Sequence, residues 1–475
     1  MYQAIRKKVS LLLAAVMMVS LLLIVPTADV SAQEQMGADP IVLQPEREID
    51  NLESLPAGAA KRDDSITQSN YGFPKYYWLT NFGQRLTDTL EWNIQSDLEE
   101  AADYYVWMRI CATQGTEFEL TVTQNGEIFD TITFKHLDDG YTYTRAAWGY
   151  DEAGVISIPS GVSTLSFRMK ADQTQSCQIY GLDMIRNSDK PAYEERIGEY
   201  SQSGAETLDR LRNQDYGYFF QYGVWGYPEH GDKKDMETAT NDFDVDSFVQ
   251  FLKDTGAKSV IWSITWWEYK MQMNVQAVDE IMGNSDFTTE RNLIPEIADA
   301  CKAEGIDFYL YYHQGLQQQP EWKEKQDFPT EYPQTGTGDR TTFFENWKKV
   351  ISEIGTTLGE NLDGWFFDDA SVYYGAPFES LAQAAKTGNP ARLIAYNGWT
   401  GPKVTEFADM AFNEGQWGDL SSQPDSVVKD GILQNGKEKG QLYIGMPIAT
   451  NNNWGVYNPE EKIELSVTPE YMIER

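Results

Sequence analysis

Beyond residue 40 the chain alternates apolar and polar positions in short runs such as Thr89-Leu90-Glu91-Trp92, Glu117-Phe118-Glu119-Leu120-Thr121-Val122 and Thr164-Leu165-Ser166-Phe167-Arg168-Met169. A period of two belongs to a half-buried strand, and turn signals such as Asn125-Gly126 and Asp139-Gly140 separate the runs, so residues 40–187 read as an antiparallel β-sandwich. After a polar stretch at 188–208, read as a linker, the rhythm changes. Strands are predicted over 216–222, 259–267, 306–313, 364–368, 392–397, 409–414 and 441–449, with helices over 245–254, 293–304, 343–358 and 377–386 between them. Strands alternating with glycine-closed helices argue for parallel pairing, and seven in succession favour a (β/α)8-type TIM barrel over 209–475. No eighth strand is found before Arg475, so the barrel reads as truncated before its last strand and C-terminally incomplete.

One run departs from its pattern. Leu362-Asp363-Gly364-Trp365-Phe366-Phe367-Asp368-Asp369-Ala370 is an apolar strand, buried on both faces, that ends in two carboxylates. The C-terminal ends of parallel barrel strands are where catalytic groups assemble, so Asp368 and Asp369 are candidates for nucleophilic or acid/base work. The structural alternative is that one of them caps the following helix or orients a loop.

The first residues speak to compartment. Arg6, Lys7 and Lys8, an apolar run to Val25 and the small residues Val30-Ser31-Ala32 make 1–32 a secretory signal peptide, with 33–39 a flexible N-terminus. The rival reading, an uncleaved anchor, is disfavoured by a short, serine-interrupted run. The formal net charge is −35, and losing a basic leader makes the secreted remainder more acidic still. Such a surface repels phosphate backbones and anionic lipids; it argues against nucleic acid and against membrane insertion after cleavage, while a neutral sugar is compatible with it. Three cysteines are too few for a disulfide framework: Cys111 and Cys177 fall in one predicted domain and are able to pair, whereas Cys301 lies in a helical pattern as a buried thiol. Three histidines make a His-centred triad hard to build, and neither a metal nor a cofactor is called for. Aromatic residues at 13% suit stacking on sugar rings, although most of them serve the core.

The second half resembles the α-L-fucosidases of glycoside hydrolase family 29. The landmarks fall in order: Tyr216-Gly217-Tyr218-Phe219-Phe220-Gln221-Tyr222-Gly223 against the family's first-strand pattern Phe-Gly-x-Phe-x-His-Trp-Gly; Gly256-Ala257-Lys258 against Gly-Ala-Lys; Ala300-Cys301-Lys302 through Leu310-Tyr311-Tyr312 against Ala-Cys-Arg through Leu-Tyr-Tyr; Phe366-Phe367-Asp368-Asp369 against Trp-Phe-Asp-Gly; and Asn453-Trp454-Gly455 against Ser-Trp-Gly. The first half resembles the galactose-binding-like jelly-roll modules that serve secreted glycosidases as carbohydrate-binding domains, on its strand rhythm and turns such as Asn81-Phe82-Gly83; a purely structural sandwich is the alternative.

The resemblance implies a retaining glycosidase with Asp368 as nucleophile. A second acid, Glu414 at the end of a later strand, protonates the leaving oxygen, with Glu268 and Asp369 as runners-up. Around them Gln221, Trp225, Trp266, Trp267, Glu268, Tyr312, His313, Asp369 and Asn397 are expected to bind substrate, with Tyr311 and Tyr396 beside them. The family reads fucose with histidines at positions that here are Gln221 and the run Thr265-Trp266-Trp267-Glu268-Tyr269. Indoles stack or donate once where imidazoles hydrogen-bond, so the sugar preference is expected to differ, whereas the two-carboxylate mechanism asks nothing of histidine. Loss of those histidines also motivates a rival: an inactive carbohydrate-binding protein on a degenerate barrel.

Overall fold

The computed structural model describes residues 39–44, 47–68, 78–137, 142–143, 146–170, 172, 174–223, 232–266, 268–316, 319–369, 372–397, 404–414, 428–434 and 439–446. Two sheets occupy the first part. One runs Ile41–Leu43, Thr89–Ser96, Gly161–Lys170, Glu117–Gln124, Glu127–Lys135; the other runs Thr142–Tyr143, Ala146–Ile158, Ala102–Ala112, Cys177–Arg186, Leu79–Phe82, Thr67–Gln68. Pairing is antiparallel except between Ile41–Leu43 and Thr89–Ser96. The alternation read from sequence places Leu90, Trp92, Phe118, Leu120, Leu165 and Phe167 of the first sheet against Val106, Met108, Ile110, Ile156 and Ile179 of the second in one apolar core. Asn125 and Gly126 join the Glu117–Gln124 and Glu127–Lys135 strands with φ of 55° and 84°, the left-handed pair that a two-residue type I′ turn needs.

Cys111 and Cys177 do not pair. Gln178 is the register partner of Cys111, so Cys177 faces away: its thiol joins the core between the sheets, while that of Cys111 lies with Tyr180, Tyr332 and Tyr374 on the other face. Burial pushes all three thiols up to about 12. The expected result is that a thiol dye at about pH 8 labels none of them in the native protein and all three after unfolding without reductant. Recovery of a single reactive thiol after unfolding would reveal a disulfide.

The stretch 188–208 is not a linker. Lys190–Arg212 is one helix with a proline in its first turn, and Tyr193, Ile197, Tyr200, Gly204, Thr207 and Leu211 form a stripe at three- and four-residue spacing. Its polar composition hides the stripe, because tyrosines and small residues supply four of its six positions. Tyr193 and Tyr200 meet Phe407 edge-on, and the Tyr200 hydroxyl donates to Asp409 Oδ2 at 2.6 Å. Trp107 and Ile185, from the second β-sheet, share an apolar cluster with Val260, Leu310 and Trp365, so the two halves pack through one continuous layer.

Five parallel strands follow in chain order: Gly217–Phe220, Ser259–Ser263, Asp307–Tyr312, Gly364–Phe367 and Leu393–Tyr396. A parallel bridge from Asn397 to Phe412 carries the order on to Ala411–Glu414, which pairs with Tyr443–Met446. The barrel expectation is met only this far. Among the described residues the strand Gly217–Phe220 has a ladder with Ser259–Ser263 alone and the strand Tyr443–Met446 with Ala411–Glu414 alone, so no ladder closes the ring. Helices cover one face, as the glycine stops predicted: Val245–Thr255 starts at the Asp244 cap, whose carboxylate accepts from Ser247 N at 3.0 Å, and stops at Gly256.

At the N-terminal end of the parallel sheet the buried charges are all satisfied. Arg210 bonds Asp307 and Asp363 at 2.6–2.9 Å. Fully buried Arg392 donates to the carbonyls of Leu362, Ala385, Thr387, Gly355 and Gly359, four of them at the C-terminal ends of the Thr341–Leu358 and Phe378–Ala385 helices, where the dipoles favour a cation. Burial still brings its pKa down to about 10.

Candidate active site

The opposite end of the sheet is different. Pleating sends Trp365 and Phe367 to the helix-covered face and Phe366 to the other, where it packs with Tyr309, Tyr311, Trp266 and Phe412. Asp368 continues that alternation onto the second face, its N–H extending the ladder to Tyr312 O at 3.0 Å. It is 4% exposed. Three donors hold its carboxylate: Asn397 Nδ2 at 2.9 Å and the Asp369 N–H at 2.7 Å on Oδ1, and the Tyr311 hydroxyl on Oδ2. The Tyr373 hydroxyl donates to its carbonyl. In contrast to Asp307 and Asp363, Asp368 has no lysine or arginine partner among the described residues. The result is a carboxylate oriented by neutral donors at a strand end, the form a nucleophile takes.

Asp369 sits at φ 73°, a backbone region costly for residues with a Cβ and tolerated best by glycine, asparagine and aspartate. Its Oδ2 lies 3.3 Å from His313 Nε2. The other ring nitrogen, Nδ1, accepts from the Gly315 N–H at 3.3 Å, so in a neutral ring the proton is on the nitrogen that faces Asp369. Thr265 locks the histidine's backbone, its Oγ1 donating to His313 O at 2.6 Å and accepting from His313 N at 2.9 Å. Because Asp369→Ala and Asp369→Gly both remove the carboxylate, their difference isolates the backbone: the glycine variant is expected to be more stable by about 1 kcal/mol in urea unfolding. Equal midpoints would mean that the left-handed conformation carries no strain.

The remaining sequence candidates divide. Trp266, 8% exposed, packs edge-on to His313 and against Tyr311, so it belongs to the wall of the site as much as to its surface. Asn397 is fully buried, and its Oδ1 has no hydrogen-bond partner among the described residues. Gln221, half-buried after the first strand, has an Nε2 in the same condition. Glu268 is half-buried, and burial pushes its carboxyl above the usual range against the pull of Lys233 and Lys270.

Tyr312 is a correction. Its neighbour Tyr311 touches Asp368, so pleating turns Tyr312 to the helix side, where its hydroxyl meets that of Tyr269 and its ring stacks on Trp347. Tyr396 is likewise in the helix-side cluster, leaving Asn397 as the residue of that strand end that reaches Asp368. Glu414 ends its strand two residues past the Asn397–Phe412 bridge, which puts its backbone at the same end of the sheet as Asp368. Its side chain, with Trp225 and Trp267, lies outside the described residues. Tyr373 is the contact that sequence reasoning missed; it stands in a loop with no periodicity, and only its nearness in sequence to Asp368 pointed to it.

Residues 178–421 match the family model described as Alpha-L-fucosidase. No curated protein matches the chain in sequence. Similar solved structures include alpha-L-fucosidase AlfC from Lactobacillus casei in complex with alpha-L-fucose product, at 16% identity over 46% of this chain and 76% of that one, TM-score 0.32. An alpha-L-fucosidase of glycoside hydrolase family 29 from Bacteroides thetaiotaomicron is similar at 16% identity over 44% of this chain and 53% of that one, TM-score 0.33.

Proposed function

From the premise that this chain belongs to the alpha-L-fucosidase family of glycoside hydrolases, we propose that it is a secreted retaining exo-glycosidase that removes a terminal sugar from a glycan or polysaccharide, with Asp368 as nucleophile. The observation that carries this reading is the Asp368 carboxylate itself, nearly buried at a parallel strand's C-terminal end and oriented by Tyr311, Asn397 and the Asp369 N–H. In the first step an Asp368 oxygen bonds the anomeric carbon as the glycosidic bond breaks, and Glu414 gives its proton to the departing oxygen. In the second, Glu414 takes a proton from water, whose oxygen replaces Asp368 on the same carbon and releases the carboxylate.

Recognition of the sugar falls to Asn397, Gln221, His313 and Asp369, with Trp266, Trp225 and Trp267 offering ring faces. The seven parallel strands are taken as part of a (β/α) barrel, and the β-rich region as a jelly-roll sandwich. Delivery through the signal peptide and a net charge of −35 fit a neutral glycan outside the cell.

A panel of nitrophenyl glycosides, with the α-L-fucoside first, tests the reading. Hydrolysis that releases the sugar in its original anomeric configuration, followed by proton NMR, is the expected result. Release of the inverted anomer would remove the covalent step, and saturable sugar binding without turnover would leave only a carbohydrate-binding protein.

A further inference from the structure

The loop that leaves Asp368 is held from three directions, and two of the holds come from outside its own strand and helix. Tyr373 donates to the Asp368 carbonyl, and Val372 N donates to Asp369 O at 3.1 Å, so the turn is closed on the nucleophile itself. Tyr374, next along, points the other way into the β-rich region. Its hydroxyl lies 2.8 Å from Leu182 O and 3.2 Å from Leu55 O, the carbonyls of two neighbouring strands of the second sheet. Gly181 makes this possible: the end of the tyrosine occupies the place a Cβ would take, and the Tyr180 ring meets it edge-on at 4.9 Å.

Buried Arg340 spends its donors on the same loop, bonding Val372 O at 2.6 Å, Tyr374 O at 2.7 Å and Gly375 O at 3.2 Å. It has no carboxylate partner among the described residues, and its guanidinium lies over the rings of Tyr332 and Phe344. The far end of the loop runs into the Phe378–Ala385 helix, which lacks a cap of its own. Asp50 supplies it from a distance of 329 residues, its Oδ1 accepting from Glu379 N and Ser380 N at 3.1 Å each.

We propose that the β-rich region is a brace for the nucleophile, with Tyr374 as its positioning residue and Gly181 as the socket. The Asp368 loop is tied to residues 50–182 at Tyr374, midway along it, and again where it enters the Phe378–Ala385 helix, so the orientation of Asp368 depends on a region outside its own sheet. A cavity of about 50 Å³ beside Tyr374, lined among others by Arg109, Tyr150 and Tyr193, leaves the ring room to shift once its hydroxyl anchor is lost. Packing alone therefore does not replace the anchor.

This inference rests on the reading of Asp368 as nucleophile, and its test is built so that the two fail separately. The full chain is compared with Tyr374→Phe, Gly181→Ala and the double variant by amide hydrogen exchange and by turnover of the aryl glycoside per folded molecule. In Tyr374→Phe the Asp369 and Val372 amides are expected to exchange about 10-fold faster, with the Ala102–Ala112 strand unchanged. Turnover is expected to fall about 10-fold with KM within about 2-fold, since a misaligned nucleophile slows chemistry rather than binding. The Cβ of Gly181→Ala falls on the Tyr374 ring end and 2.6 Å from Leu55 O, the two partners of the same anchor, so the double variant is expected to lose no more than the worse single one. Unchanged exchange at Asp369 and Val372 in Tyr374→Phe, or additive losses in the double variant, overturns the brace. Faster exchange in a protein inactive on every glycoside would sustain the brace while removing the hydrolase.

Discussion

Asp368→Asn is expected to leave a folded protein whose turnover of its best aryl glycoside falls by at least about 1000-fold. The substitution changes little in shape. With its amide oxygen at the Oδ1 position, the asparagine still accepts from Asn397 Nδ2 and the Asp369 N–H, and the Tyr311 hydroxyl can turn from donor to acceptor for the new NH₂. Thermal stability should therefore stay close to that of the parent, which separates lost chemistry from lost fold. An amide oxygen is a poor nucleophile toward an anomeric carbon, so the covalent step has no other route. Asp368→Gly opens space where the carboxylate stood, and azide is expected to enter it and give a glycosyl azide of inverted configuration. Retention of more than a tenth of the parental rate in Asp368→Asn would place the nucleophile elsewhere.

The second large effect concerns the acid/base. In Glu414→Gln the loss in kcat/KM should depend on the leaving group: slight for a dinitrophenyl glycoside, which departs without a proton, and about 100- to 10 000-fold for a natural or alkyl glycoside. The alkaline limb of the pH–rate profile, set by the acid that must be protonated, should disappear as well. Glu268→Gln is the control. Burial raises the Glu268 carboxyl, which is what a proton donor at neutral pH requires, so leaving-group dependence in that variant and not in Glu414→Gln would transfer the role. Azide distinguishes the two carboxylate functions again: it accelerates a variant lacking the base on good leaving groups by attacking the glycosyl-enzyme, yielding an azide product of retained configuration.

Much of this site was legible in the chain. Asp368 was found because two acids at the end of Trp365-Phe366-Phe367 have no part in a buried strand, and family resemblance pointed to the same residue. The parallel order was legible in strands that alternate with glycine-stopped helices, and the Asn125-Gly126 hairpin in a dipeptide that tolerates left-handed backbone. Where the reading failed, the missing quantity was the phase of a pattern or the identity of a distant partner. Tyr311 and Tyr312 are identical side chains on a run buried throughout, and nothing local says which one turns toward Asp368. The 188–208 stretch looks unstructured because its packing stripe mixes tyrosines, glycine and threonine with Ile197, and the tyrosines' burial depends on Phe407 and Asp409 being there to receive them.

Taken alone, the sequence determined the local terms: strand and helix periodicity, turn chemistry, the acid at the end of the central strand, and a surface charge that favours neutral ligands. Those follow from interactions within a few residues, which composition and spacing record. Tertiary structure decided which face each strand residue takes and what holds Asp368. Asn397 and Tyr311 stand 29 and 57 positions from Asp368, and the Leu182 carbonyl that anchors Tyr374 stands 192 positions from it. Contacts of that span exist only once the strands are in register, so no local pattern encodes them one at a time.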